Sequence, residues 1–159
     1  MTTRRQYLLV DGYNVAHAWA DINAVIARDI DAAAMLLVER LAVLHDGAEC
    51  EVTIVFDGRG EKEEIQRDKA GKLPCVIYSP AGVSADAIIE QIVARAPNAD
   101  DFTVASRDNA LVLSVHTYGG HTLRPEELAE RVEREKKQLA RTVVRRVREN
   151  GRDFGNKLF

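Results

Sequence analysis

Short apolar, β-rich runs separated by stretches of helical period constrain this chain more than any other feature. Residues 6–10, "CEVTIVF" from Cys50, "LPCVIYSP" from Leu73 and "DFTVAS" from Asp101 are brief and bounded by Gly, Pro or Asp. Each reads as a buried strand. Between the first two, Asp29 to about His45 carries Ala32, Leu36, Leu37, Leu41 and Leu44 at helical spacing. Asp29 or Asp31 is placed to cap that helix, and Gly47 lies beyond its end. Residues 59–72 are polar and charged, with Ile65 their main apolar side chain, and read as an exposed loop. Ser84 stands at an N-cap position ahead of Ile88, Ile89, Ile92 and Val93, and Pro97 closes that helix. A helical run follows through 111–115, then a "YGG" turn and a fifth strand around 121–123. Pro125 opens a long helix running to about Glu149. Strands alternating with helices predict one α/β domain spanning 1–159. Its sheet is mostly parallel, of about five strands, with helices on both faces.

Aspartate follows these strands with a regularity that matters for chemistry. Asp11 ends the first strand, Asp57 the second, and Asp108 follows the fourth in "VASRD". Asp86, in "VSADAIIE", falls in the first turn of the helix after the third strand. A parallel sheet puts all its strand carboxyl ends on one edge, where ligands bind. Any one of these residues has a structural explanation, because aspartate makes Asx-turns and caps helices. Asp108 can cap the next helix, and Asp57-Gly58 can be a plain turn. Four carboxylates on one edge, however, repel and resist joint ionisation unless a cation sits among them. Oxygen ligands without histidine or cysteine suit Mg²⁺ or Mn²⁺, ions that polarise phosphate and activate water. The spread of four histidines from His17 to His121, and of Cys50 and Cys75, fits neither a zinc site nor a structural disulfide. Neither a GxxxxGK[ST] loop nor a GxGxxG fingerprint occurs.

"LLVDGYNVAHAW", "TIVFDG", "VIYSPAGVSADAIIEQIV" and "TVASRD", in this order, resemble the YacP-like branch of the NYN-domain proteins, within the PIN-like nuclease superfamily. The resemblance covers about residues 6–150. It implies a Rossmann-like α/β sandwich whose acidic residues bind divalent metal for RNA cleavage, in a branch that includes a ribosome-associated endoribonuclease. Carried over by position, Asp11, Asp86 and Asp108 correspond to the three metal acids, Asn14 to their polar companion, and Asp57 to an auxiliary acid. Ser84 and Ser106 then fix turns or reach the metal through water. Two positions depart from the family pattern: Ala87 stands where a second acid is common, and Arg107 makes "SRD" of the usual "TSD". Arg107 either holds a phosphate or pairs with an acid. In the opening motif Gly12 is read as letting the backbone turn, while Tyr13 stacks on a base or packs on the sheet edge.

Charge divides along the chain. Residues 1–123 hold 11 basic and 18 acidic side chains, and residues 124–159 hold 11 and 7. An acidic body beside a basic tail pairs a cation-attracting centre with an anion-seeking surface. Arg134, Lys137, Arg141, Arg145, Arg148 and Arg152 form one face of the last helix, with Leu128, Val132, Leu139, Val143 and Val147 opposite. Such a stripe is either a phosphate-binding surface or a solvated helix face. The closing "DFGNKLF" either docks on the body or frays. No apolar run reaches a membrane-spanning length, and the N-terminal residues lack a signal-peptide pattern, so the expected location is the cytoplasm.

The function expected on these grounds is a Mg²⁺- or Mn²⁺-dependent endoribonuclease acting on RNA, with mRNA and the ribosome as partners. The alternative is a non-catalytic RNA- or ribosome-binding module with the same fold. A phosphatase or receiver-like domain would need a lysine at the end of the last strand, where Arg124 stands instead.

Overall fold

The computed structural model describes residues 4–46 and 49–158, with side chains through Gly151. Gly47, the Arg152 side chain and the side chains of the terminal "DFGNKLF" lie outside the described residues. The strands are β1 (Gln6–Asp11), β2 (Cys50–Phe56), β3 (Glu64–Gln66), β4 (Cys75–Tyr78), β5 (Phe102–Ala105) and β6 (His121–Leu123). The helices are α1 (Gly12–Ala18), α2 (Ala20–Ile26), α3 (Ile30–Leu41), α4 (Ala85–Arg95), α5 (Asn109–Thr117) and α6 (Pro125–Leu158). One sheet runs in the order β3-β4-β2-β1-β5-β6. All pairings are parallel except β3 on β4, which is antiparallel.

The sheet therefore has six strands, where the sequence predicts about five. The addition is β3, inside the segment read as a loop. Its three residues are all exposed and lie at the sheet edge, so they leave no hydrophobic alternation to detect.

Alternation along the central strands builds two cores. Leu8 and Val10 of β1, with Val52, Ile54 and Phe56 of β2, face α1, α2, α3 and the start of α6. Leu9, Val55, Ile77 and Val104 face α4 and α5. Period-two side chains thus cover both sides of the sheet, as a parallel sheet requires.

Several helix ends follow their predicted chemistry. Asp29 Oδ1 accepts from the Ala32 amide at 3.1 Å, and Ser84 Oγ accepts from the Ala87 amide at 3.2 Å. The helix after Ser84 ends at Arg95, short of Pro97. At Gly12 the chain turns from β1 into α1. A helix begins there directly, and its φ is not among the positive values. A Cβ at position 12 would lie 2.4 Å from the Phe56 ring. Glycine is needed for that close approach and not for a left-handed turn.

The last helix also differs, running well past Glu149 to Leu158. Leu128 and Val132 are buried on the body, and Trp19 Nε1 donates to the Pro125 carbonyl at 2.9 Å. From Lys136 onward every described side chain is exposed. Leu139, Val143 and Val147 are 56%, 51% and 65% exposed, so only the first turns of the apolar face meet the core.

Candidate active site

The strand order reverses at β1, which sends its next connections to β2 on one side while β5 joins it on the other. Such a switch point leaves a crevice outside the strand carboxyl ends, where α/β sheets bind ligands. Asp11, the last residue of β1, is 6% exposed at this crevice, and Ser106, just past β5, is 1% exposed. Ser106 Oγ donates to Asp11 Oδ2 at 3.0 Å and accepts from the Asp108 amide at 3.1 Å. Asn14 Oδ1 accepts from the Arg107 amide at 2.7 Å. Two side chains thereby lock the "DGYN" segment to the "SRD" turn across the switch point.

Asp86 comes from the first turn of α4 and lies close enough to Asp11 for the two carboxyls to share a proton. Burial, that contact and the Asp86 charge push the Asp11 carboxyl up to about 7, with Asp57 adding to the rise and Ser106 opposing it. Asp86 is raised as well, first by burial and then by the charges of Asp108, Asp57 and Glu90, while its contact with Asp11 works the other way. Burial and repulsion thus keep a proton on this pair, with Asp11 the more strongly raised of the two. Asp11 and Asp86 stand together here, and the charges of Asp57, Asp108 and Glu90 act on the pair.

The remaining two acids have structural duties too. Asp108 Oδ1 accepts from the Leu111 amide at 2.9 Å and caps α5. Asp57 Oδ1 accepts from the Ala85 amide at 2.7 Å, tying the end of β2 to the start of α4. Among the described residues, no three acid, histidine or cysteine side chains form a group that could hold an ion as they are placed. The donor chemistry nevertheless fits a hard divalent cation. Every group is a carboxylate or hydroxyl oxygen, and the proton on Asp11 relieves the repulsion that a cation would otherwise neutralise.

Other expected residues fall apart from this centre. The Arg107 guanidinium pairs with Glu126, and Arg124 pairs with Glu127. Arg134, Lys137, Arg141, Arg145 and Arg148 lie on the exposed length of α6, where Arg145 reaches Glu149 at 3.3 Å. Tyr13 packs its ring 4.7 Å from Phe56. Glu90 is a group the sequence reading passed over. It lies one helical turn after Asp86, and that i,i+4 spacing in "ADAIIE" is the signal that marks it.

Comparison with known proteins settles the family. The model of the YacP-like NYN domain matches residues 8–158. The chain belongs to that family. Its fold is that of the PIN-like nucleases. An uncharacterised protein YacP of Bacillus subtilis is 28% identical over 142 residues, covering 89% of this chain and 81% of its own. The crystal structure of Rae1 (YacP) from Bacillus subtilis matches with a TM-score of 0.73 at 26% identity, over 91% of this chain and 83% of that one. A mutant of Rae1 matches with the same TM-score at 24% identity, over 89% and 83%, and shows the shared fold. Among the described residues, no helix is long and apolar enough to cross a membrane.

Proposed function

We propose that this YacP-like NYN protein is a divalent-metal-dependent endoribonuclease, with Asp11, Asp86 and Asp108 as the metal-binding acids and Asp57 and Asn14 assisting. The observation that carries the reading is the Asp11–Asp86 pair at the β1/β5 crevice, where burial and mutual repulsion hold a proton on Asp11 near neutrality. Asp11, Asp86 and Asp108 would hold Mg²⁺ or Mn²⁺, which would supply Lewis-acid chemistry for phosphodiester hydrolysis. The chain's own residues orient the acids. Ser106 fixes one Asp11 oxygen, the cap to Leu111 aims Asp108, and the bond to Ala85 aims Asp57. Asn14 holds the Arg107 backbone in register with the first helix. The cations of α6 would hold RNA by its phosphates, with ribosome-associated mRNA in the cytoplasm as the substrate the family resemblance favours.

A second reading, a non-catalytic RNA- or ribosome-binding module, is favoured by one observation. Asp57 and Asp108 each spend an oxygen on a helix terminus, and Arg107 is held by Glu126. Cleavage separates the two. Purified protein should cut single-stranded RNA with Mn²⁺ or Mg²⁺ and stop in excess EDTA, with its fold intact. Binding of RNA without cleavage under any divalent cation would leave the module reading standing.

A further inference from the structure

Beside the acid cluster lies a cleft of about 700 Å³ that the chemistry above does not use. That volume is within the range of small-molecule sites. Asp57 belongs to both, because it lines the cleft and its charge reaches Asp11 and Asp86. Tyr13 and Tyr78 line the cleft with their exposed parts, and both rings rest on the buried Phe56, at centroid distances of 4.7 and 5.5 Å. The turn after β2 brings Arg59 and Lys62 to the same cleft, and neither makes an ion pair among the described residues. The same turn is pinned. The Gly58 amide donates to Ser79 Oγ at 3.2 Å, and the Ala81 amide donates to the Gly60 carbonyl at 2.7 Å. A side chain at position 58 would collide with the Ser79 carbonyl, 1.9 Å from its Cβ, so the turn lies directly on the end of β4.

We propose that this cleft is a single-nucleotide subsite for RNA, with a base against Tyr13 and Tyr78 and its phosphate held by Arg59 and Lys62. Fixed rings offer a stacking surface that any base can use, and free cations offer the charge that phosphate needs. Contact with Asp57 places that nucleotide next to the acid cluster. Asp31 and Glu64 also line the cleft, and their negative charge limits it to one phosphate instead of a continuous anion track. In this arrangement Arg59 and Lys62 take the phosphate-holding part that the ion pair to Glu126 denies to Arg107. The subsite rests on the nuclease reading, since it assigns the substrate of that site.

The test uses a six-nucleotide single-stranded RNA carrying 2-aminopurine, bound to full-length protein in chelator, with cleavage in Mn²⁺ measured separately. Wild type should bind and quench the 2-aminopurine by stacking. Arg59→Gln with Lys62→Gln should flatten the slope of log affinity against log salt by about 0.7, the value for one phosphate contact on a single strand. Tyr78→Leu should weaken binding about tenfold and abolish the quench. Wild-type cleavage and binding, with unchanged salt slope in the double variant, would overturn the subsite and leave the nuclease reading intact. The double variant alters only exposed side chains, so it decides the matter even where Tyr78→Leu does not fold. Wild type that neither binds nor cuts RNA would defeat both readings together.

Discussion

The acid edge and the outer length of α6 are the two regions on which the proposed function draws, and packing treats them in opposite ways. At the edge, Asp11 is 6% exposed and every neighbouring turn is tied by a named hydrogen bond. Along α6 beyond Lys136 every described side chain is exposed, apolar and basic alike. The edge stores electrostatic strain because the surrounding sheet over-determines it. The outer helix stores none, because among the described residues only contacts within the helix itself, such as Arg145 with Glu149, hold its side chains. A preorganised centre beside a solvated arm is the division expected when one region does chemistry and another captures a polyanion.

The largest effect expected from breaking this contrast lies at the edge. Asp86→Asn or Asp108→Asn should cut RNA cleavage roughly a thousandfold, the several kcal/mol that a metal site contributes. Asparagine can still cap α5, so the Asp108 variant should fold normally. The melting temperature of Asp86→Asn should hold or rise, since a repelling charge is gone. An unfolded Asp108→Asn, or a fully active variant of either kind, would return that aspartate to a purely structural role.

Stability against pH sharpens the same point. The folded pKa of Asp11, about 7, lies above its ordinary value of 3.8, so between them the folded protein binds more protons than the unfolded chain. The stabilisation is complete below the lower value and is lost as pH climbs through the upper one. In chelator, the unfolding free energy from denaturant titrations should therefore fall from pH 4 to pH 8, by at most about 4 kcal/mol for this group. Asp11→Asn should remove most of that slope. An unaltered slope in the variant would mean that other groups govern it.

Packing makes a complementary demand of the helix. Leu128→Ala, at a fully buried position, should cost about 3 kcal/mol. Leu139→Ala, on the same nominal stripe but 56% exposed, should cost less than about 0.5 kcal/mol. Equal costs would show that the outer stripe is covered in solution.

The sequence made the parallel sheet legible because its strands are buried on both faces and read as apolar runs. Its caps at Asp29, Ser84 and Asp108 were legible from side-chain chemistry. Apart from Glu90, what escaped notice had no local signal. The edge strand β3 is short, exposed and charged. The need for glycine at position 12 comes from Phe56, a residue 44 positions away in the chain. The helical periodicity of α6 is real, but periodicity reports amphipathicity and does not reveal where the body ends. The four acids could be assigned to one edge, whereas the proton on Asp11 depended on burial that no motif records.

The smallest effect should come from the arm. Changing Arg141, Arg145 and Arg148 together to Gln should flatten the salt dependence of RNA binding by about two in slope, from about 0.7 per phosphate contact. Cleavage at low RNA concentration should fall with it. An unchanged slope would show the stripe to be only a solvated face.

The central claim is that the acid edge exchanges its trapped proton for a divalent cation. Calorimetric titration of Mn²⁺ into the protein at pH 6, in two buffers of different ionisation enthalpy, tests this without RNA. With Asp11 protonated below about 7, binding should release about one proton per ion, and Asp11→Asn should release almost none. No binding of Mn²⁺, or binding with heats that do not depend on the buffer, would contradict the account.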